Sequence, residues 1–275
     1  MSTGGPAAPS ASARSLLLTL LGEFVYPSNE PVWTSTLVQA FAAVGIAEKA
    51  ARQTLARAAA ADWIEGGKQG RHAWWAMTPQ IVRLISEGSQ RVRALRHAAQ
   101  EWPGEWLVLH ITLPESRRAD RLKLYRVLQW MGFGSPTPGL WICPHPDRAA
   151  AVEQRVKQLG LERDTLAFAA RSLPFGLQQP ELVQRAWDVE ALAAYYRRLD
   201  DQFGALRPRS DEAVFIAHVQ LVNALQRLPA VDPGLPAALL PRHWDGERVS
   251  RRLEGLRARW RDAAHVHWRR LCDEA

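Results

Sequence analysis

The chain has 275 residues, of which 47% are hydrophobic and 23% charged, the composition of an ordinary globular protein with room for two or three compact units. Its formal net charge of +7 favours a polyanionic partner such as nucleic acid. The distant cysteines Cys143 and Cys272 argue against a secreted disulfide scaffold, and the apolar run Leu16–Leu21 is too short to span a bilayer, so we predict a cytoplasmic protein without a membrane partner.

The first predicted domain, residues 13–92, follows residues 1–12, a tail of small residues that we expect to be disordered. Hydrophobic periodicity predicts three helices, over residues 14–25, 34–45 and 47–61. A hairpin is predicted over residues 63–77, and a fourth helix from Pro79 onward. Pro27 ends the first helix, and Thr34 or Ser35 can cap the second. Three helices followed by a hairpin are typical of a winged helix-turn-helix.

The third helix carries side chains of the kind that read DNA. One face offers Lys49, Arg52, Gln53 and Arg57, donors that reach base edges and phosphates in a major groove. Lys68, Arg71 and His72 in the glycine-rich hairpin turn form a short, flexible, basic wing that fits the adjacent DNA backbone. These charges also fit a solvated helix face, and winged helices also mediate protein contacts. Order, spacing and charge together favour DNA.

The second predicted domain, residues 102–175, alternates strands and helices. Strands are predicted at 106–113, weakly at 132–138, at 139–143 and at 166–170, with helices at 121–131 and 147–159. This β-α-β-β-α-β order predicts a ferredoxin-like sandwich.

The third predicted domain, residues 181–275, is all-helical. Helices are expected at 182–203, 211–227 and 246–271, and an extended, proline-defined segment at 232–244. Their apolar stripes can be buried either within the same subunit or against a partner subunit. The fold class as a whole is therefore α+β, with a winged helix, a ferredoxin-like domain and a helical C-terminal domain.

Residues along nearly the whole chain resemble one known family. They are Ala13-Arg14-Ser15-Leu16, Arg52-Gln53-Thr54-Leu55-Ala56-Arg57, Arg71, Thr78-Pro79, Trp106, Arg121, Gly132-Phe133-Gly134, Gly139-Leu140-Trp141-Ile142, Ala186-Trp187-Asp188 and the proline-containing residues 232–244. Together they are similar to the PaaX family of phenylacetic-acid degradation regulators. The central and C-terminal signatures are more specific than the winged helix, which many regulators share.

The resemblance implies a homodimeric repressor with a Cas2-like central domain. Such a repressor binds double-stranded operator DNA of aromatic-catabolism genes and releases it when phenylacetyl-coenzyme A binds. Where family members tend to carry Arg and His in the helix before the Asp-Pro segment, this chain has His218 and Asn223. A repressor that responds to a different effector is therefore an alternative.

An acyl-coenzyme A effector would act as a regulatory ligand, not as a cofactor. Its site needs cations for the phosphates and apolar or aromatic walls for the acyl group. The C-terminal half offers Trp187, Arg197, Arg198, Arg242, His243 and Trp244, with Arg121 and Arg126 as alternatives on the central helix. Tryptophans also fit a core, and arginines a solvated surface.

An enzymatic function is the less favoured alternative. A Cas2-like nuclease would want a carboxylate at an end of the first central strand, and residues 107–113 contain no Asp. His110 fits a core position better than a catalytic one. His265 and His267 are two positions apart on a helix and do not share a face. We therefore predict no catalytic residues and no metal site.

Overall fold

The structure, a computed structural model, describes residues 12–26, 28–96 and 102–274. The tail predicted to be disordered lies outside the described residues except for Ser12, and so does Pro27, the residue predicted to end the first helix. The predicted fold class is confirmed: helices and a small sheet are followed by a four-stranded sheet with helices and then by a helical C-terminal region.

The N-terminal elements form a winged helix. They are α1 (Ala13–Leu20), continued by a π-helical turn (Leu21–Val25), β1 (Val32–Trp33), α2 (Thr34–Ala43), α3 (Glu48–Ala60), β2 (Ile64–Gln69), β3 (His72–Met77) and α4 (Pro79–Arg96). The three strands form an antiparallel sheet in the order β1-β3-β2. The sequence pattern did not reveal β1, which has only two residues and therefore no measurable alternation.

The central elements form the predicted ferredoxin-like sheet. They are β4 (Glu105–Ile111), α5 (Arg118–Trp130), β5 (Gly134–Thr137), β6 (Leu140–Cys143), α6 (Ala149–Gln158) and β7 (Thr165–Arg171). All neighbouring strands are antiparallel, in the order β5-β6-β4-β7. The first and third strands of the β-α-β-β-α-β unit therefore lie at the centre of the sheet, and β5 and β7 at its edges.

The C-terminal elements are α7 (Gln179–Ala186), α8 (Val189–Phe203), α9 (Asp211–Leu225), α10 (Leu228–Val231) and α11 (Gly246–Asp273). The single helix predicted over 182–203 was wrong, because the chain becomes extended at Trp187 (φ −138°, ψ 144°). Asp188 then accepts a hydrogen bond from the Ala191 backbone N–H at 2.8 Å and starts a new helix. Between α10 and α11 only Ala237–Leu239 forms a helical turn.

The described residues divide into two compact units. The winged-helix unit contains residues 12–90, 198–227 and 248–274, and the sheet unit contains 91–96, 102–197 and 228–247. Residues 181–275 thus contribute to both units. The boundaries of the three domains predicted from the sequence remain a prediction.

The core of the winged-helix unit joins the first three helices to α9 and α11. Leu17, Leu37, Phe41 and Leu55 are fully or almost fully buried in it. Phe24 stacks on Trp268 of α11, with ring centroids 5.0 Å apart. The C-terminal helices α9 and α11 therefore help to fix the position of the DNA-reading motif predicted from the sequence.

The central sheet is covered on both faces. Alternate residues of β4 explain this: Leu107, Leu109 and Ile111 pack in the cluster that contains α5 and α6 residues, whereas Trp106 packs with Val183 of α7. On the second face the proline-containing segment after α10 adds further apolar side chains. This packing places the Ala186–Asp188 break between α7 and α8 within the sheet unit.

The hairpin glycines serve packing more than flexibility. Lys68 and His72, predicted to lie in the hairpin turn, belong to the strands, because β2 continues to Gln69 and only Gly70 and Arg71 form the turn. A Cβ on Gly66 would lie 2.7 Å from the Trp75 ring. That ring is held in place by a 3.0 Å hydrogen bond from its Nε1 to Thr34 Oγ1. Thr34 is therefore engaged with the hairpin, and neither Thr34 nor Ser35 caps α2, whose N-cap is Trp33.

This packing makes opposite predictions for two glycines of the same unit. Gly66→Ala forces the added methyl against Trp75 and is expected to destabilise the unit by about 1–3 kcal/mol. Gly88→Ala, in α4, meets no atom within 4 Å and is expected to stabilise by about 1 kcal/mol through helix propensity. Thermal unfolding followed by circular dichroism measures both, and a Gly66→Ala melting temperature at or above that of the wild type would contradict the packing argument.

Candidate nucleic-acid interface and ligand cavities

Helix α3 is amphipathic in the way a DNA-reading helix requires. Ala51, Leu55 and Ala58 are buried in the core of the winged-helix unit. The four side chains predicted to face DNA all lie on the exposed side of the helix: Lys49, Arg52, Gln53 and Arg57. Their spacing of three, one and four residues keeps them on one face of about two turns. The structure therefore brings the predicted helix residues together on one accessible surface.

The exposed face contains one internal ion pair. Arg52 Nε lies 2.8 Å from Glu48 Oε1, and both side chains are mostly exposed. An exposed helix pair of this kind is worth only about 0.3–0.5 kcal/mol, so a phosphate or a guanine edge can replace the carboxylate at small cost. Glu48 holds Arg52 in place but competes with a polyanion for it.

The hairpin presents the other three predicted residues at its end. Lys68 lies in β2, Arg71 in the two-residue turn and His72 at the start of β3, and all three are exposed. Gly70 has a φ of +60°, which a two-residue hairpin turn requires at this position. Arg71 Nε donates to His72 Nε2 at 3.3 Å. The basic tip is thus a two-residue turn between paired strands.

A buried polar cluster connects α1 to α9 and α11 within the winged-helix unit. Glu23, in the π-helical turn after α1, is 6% exposed. Its carboxylate lies 3.0 Å from His218 Nε2 and 2.7 Å from Arg257. Burial opposes ionisation of this carboxyl, yet the hydrogen bond with His218 and the charge of Arg257 lower its pKa to about 2. Glu23 is therefore a permanently charged link between the winged helix and the C-terminal helices.

This cluster was not predicted from the sequence, although a signal was present. Glu23 interrupts an otherwise apolar helical run, and a carboxylate there needs buried partners. The partners are 195 and 234 positions away in sequence, so they cannot be found from local spacing. His265 Nε2 lies 4.0 Å from the same carboxylate.

His218 and Asn223, the two residues that the sequence analysis set against the family pattern, lie in this same interface. His218 is fully buried against Glu23, and Asn223 donates hydrogen bonds to Ser15 Oγ at 2.5 Å and Thr19 Oγ1 at 2.9 Å. Both therefore pack α9 against α1. Neither lines the cavities described below.

The sheet unit contains a large cavity beside the α7–α8 break. Its volume is about 880 Å³, which is enough for a ligand of drug size or larger. Two of the predicted effector residues, Trp187 and Arg242, line it, together with the cation Arg185 and apolar residues such as Val183 and Leu239. Arg185 is paired with Glu181 at 2.7 Å. Asp188 and Glu190 also line the cavity, which therefore combines two cations, two carboxylates and an apolar wall.

Three other predicted effector residues lie together in a smaller cavity of the same unit. Arg197, His243 and Trp244 line a space of about 200 Å³, to which Pro241 also contributes. Trp244 packs edge-on against Tyr196, with ring centroids 5.8 Å apart. Arg198, the next residue on α8, belongs to the winged-helix unit and lines neither space.

The catalytic alternatives find little geometric support. Strand β4 starts at Glu105, earlier than predicted, but this carboxylate is paired with Arg171 at 2.9 Å. Over residues 12–26, 28–96 and 102–274, no three His, Cys, Asp or Glu side chains are grouped as metal ligands would be. Within the same ranges, no helix combines the length and hydropathy needed to cross a bilayer.

The fold defines a winged-helix protein with a ferredoxin-like central sheet and a helical C-terminal region. The chain belongs to the PaaX family. The model described as PaaX-like protein matches residues 12–81, that of the PaaX protein central Cas2-like domain matches 99–183, and that of the PaaX-like protein C-terminal domain matches 187–270.

Two individual proteins are similar over most of the chain. The transcriptional repressor PaaX of Escherichia coli (strain K12) is 26% identical over 247 residues, which are 86% of this chain and 76% of that protein. The uncharacterized protein Rv0674 from Mycobacterium tuberculosis superposes with a TM-score of 0.60 at 24% identity, covering 93% of this chain and 99% of that one. The second similarity supports the fold.

Proposed function

We propose that this protein is a transcriptional repressor of phenylacetate-catabolism genes that binds operator DNA through α3 and the β2–β3 hairpin. The observation that carries the proposal is the exposed face of α3, where Lys49, Arg52, Gln53 and Arg57 stand together above a fully buried apolar face. The name of the Escherichia coli relative, a transcriptional repressor, supports the same function and argues against an enzyme. Action on chromosomal DNA implies a cytoplasmic protein.

The repressor is proposed to act as a homodimer. Two copies related by a twofold axis would place their α3 helices in half-sites about one helical turn, or a multiple of it, apart. The edge strand β7 offers a surface for a second copy, since Leu166 and Phe168 are 57% and 53% exposed and no charged residue lies between Thr165 and Arg171. Light scattering after size-exclusion chromatography measures the mass of the assembly.

Release from DNA is proposed to follow binding of phenylacetyl-coenzyme A or a related acyl-coenzyme A in the large cavity. Trp187 and Arg242 are its proposed contacts there, and Arg197, His243 and Trp244 are proposed to extend the site. Arg198 stays a candidate without a cavity contact. The effector must bind the released conformation more tightly, with a coupling of about 1–3 kcal/mol.

Fluorescence anisotropy with a duplex that the protein itself selects from genomic fragments tests the repressor function. We expect a tight complex that weakens steeply with salt, because Lys and Arg contacts release counterions from DNA. Phenylacetyl-coenzyme A should then lower the affinity by about 5- to 150-fold. Selection of no duplex above random DNA would contradict operator binding, whereas a selected duplex insensitive to acyl-coenzyme A compounds would contradict only the effector.

Arg242 gives a sharper test of the effector site. Arg242→Ala removes a cation from the cavity wall, and loss of one charge-assisted hydrogen bond costs about 1.5 kcal/mol. We expect operator affinity to stay at the wild-type level and the effector concentration for half-release to rise about tenfold. Arg163→Ala, an exposed arginine of the same unit outside the cavities, is the matched control. An equal shift in both variants would argue against the site.

A further inference from the structure

Helix α3 carries an acidic residue on the face that is proposed to contact DNA. Glu48 is the first residue of α3 and the one acid among its thirteen residues. It is exposed, as are Lys49, Arg52, Gln53 and Arg57. A carboxylate here repels the phosphates of every duplex, whatever the base sequence. An acid in the first turn also favours the helix dipole, so the contact that Glu48 makes decides between a structural and a functional role.

Glu48 binds Arg52 through a single atom of the guanidinium group. Arg52 Nε donates a hydrogen bond to Glu48 Oε1 at 2.8 Å. The two residues are four positions apart, the spacing at which side chains on a helix surface meet. Within the part of the chain that the structure describes, this is the one hydrogen bond that Arg52 makes. The two terminal amino groups of the guanidinium therefore remain available to a ligand.

The available edge of Arg52 has the geometry that guanine requires. Two terminal nitrogens of a guanidinium donate parallel hydrogen bonds, which match the O6 and N7 acceptors on the major-groove edge of guanine. Arg52 is the fifth residue of α3, and the N-terminal residues of a recognition helix are those that contact base edges. Glu48 can therefore stay bound at Nε while the opposite edge of the same group binds a base.

Without Glu48, the Arg52 side chain would be free to bind phosphates as well as bases. Phosphate contacts carry no direct sequence information, so an arginine that turns to the DNA backbone does not discriminate between duplexes. The hydrogen bond at Nε restricts the side chain before DNA binds, and less conformational freedom is lost at the base. If Arg52 turns to a phosphate, the carboxylate is left unpaired beside the duplex. Glu48 thus penalises the non-specific contact more than the specific one.

We propose that Glu48 determines the base specificity of this protein by holding Arg52 for a guanine in each half-site of the operator. The inference rests on the proposed function, because it requires that α3 lie in the major groove. Glu48 touches no base in this complex and acts through Arg52, as a positioning residue. The ion pair is weak in the free protein, where both side chains are mostly exposed. It becomes stronger when the DNA excludes water from it.

Single base-pair substitutions in the selected duplex, measured by fluorescence anisotropy with the full-length protein, test the proposal. We expect one G·C pair in each half-site whose replacement by A·T lowers wild-type affinity by about 10- to 100-fold. In Arg52→Ala the same replacement should change affinity by less than about threefold, which identifies the pair that Arg52 contacts. In Glu48→Gln the penalty should be at least about threefold smaller than in the wild type, because Arg52 then also binds phosphates. A Glu48→Gln penalty equal to the wild-type value would overturn the proposal.

The penalty for this replacement separates positioning from the other roles of a carboxylate. A loss of helix stability alone would weaken all duplexes alike and leave the penalty unchanged. Glu87→Gln removes the same charge from an exposed position of α4 and should keep the wild-type penalty. An equal reduction in Glu87→Gln and Glu48→Gln would overturn the proposal, since net charge would then explain both.

The same experiment distinguishes a failure of this inference from a failure of the proposed function. A duplex that is selected by the protein, but has the same penalty with and without the Glu48 carboxylate, contradicts this inference and leaves operator binding intact. If no duplex is selected above random DNA, operator binding is contradicted, and the role proposed for Glu48 falls with it.

Discussion

Arg52→Ala is expected to lower operator affinity by about 10- to 100-fold, since one good bidentate contact to a base is worth about 1–3 kcal/mol. Arg52 is exposed on α3, where it pairs with the exposed Glu48, so thermal stability should change little. The loss is expected to be larger than for a phosphate contact, because removing Arg52 also leaves Glu48 unpaired beside the DNA. Anisotropy titrations at fixed salt measure the effect.

Two further variants control for general charge effects. Arg83→Ala removes another exposed arginine, from α4 of the same unit, and should leave operator affinity within about twofold of the wild type. Glu48→Gln removes the carboxylate that competes for Arg52 and should raise affinity by about twofold. A loss as large in Arg83→Ala as in Arg52→Ala would show that net charge, not the α3 face, governs binding.

Glu23→Gln destabilises the winged-helix unit by about 3 kcal/mol at neutral pH. The folded pKa of about 2 lies below the usual value of 4.5, so the ionised carboxylate stabilises the fold at every pH above 4.5. That contribution is lost progressively as the pH falls from 4.5 towards 2, because protons then bind the unfolded chain more readily than the folded one. The difference between variant and wild type should shrink over the same interval.

Urea unfolding at pH 7 and at pH 3 measures this difference. Glu87→Gln, at an exposed position of α4, is the matched control and should have a free energy of unfolding within about 0.5 kcal/mol of the wild type. A Glu23→Gln deficit that stays constant between pH 7 and pH 3 would show that packing, not the charged link to His218 and Arg257, is lost.

The elements that the sequence predicted well are those with local, periodic signals. Helix α3 was predicted over 47–61 and found at Glu48–Ala60, because Ala51, Leu55 and Ala58 stand at helical spacing between charged residues. The β-α-β-β-α-β order was readable for the same reason. The break at Trp187 was not, since no glycine or proline marks it and the Asp188 side chain alone starts α8.

The parts that the sequence could not predict depend on contacts between distant segments. The Glu23 cluster joins α1 to residues of α9 and α11. Likewise, one cavity of the sheet unit is lined by Trp141 of β6 together with Trp187 and Pro233, three positions with no shared local pattern. The proposed effector residues Trp187 and Arg242 were found through family resemblance. Their common cavity became visible only in three dimensions.

Photo-cross-linking from α3 tests the central claim most directly. A benzophenone amino acid at Gln53, in the middle of the exposed face, should cross-link to the selected operator duplex on irradiation. The same group at Leu84 of α4, which is 46% exposed, should not. Cross-links from both positions alike, or from Leu84 only, would contradict the placement of the α3 face on DNA.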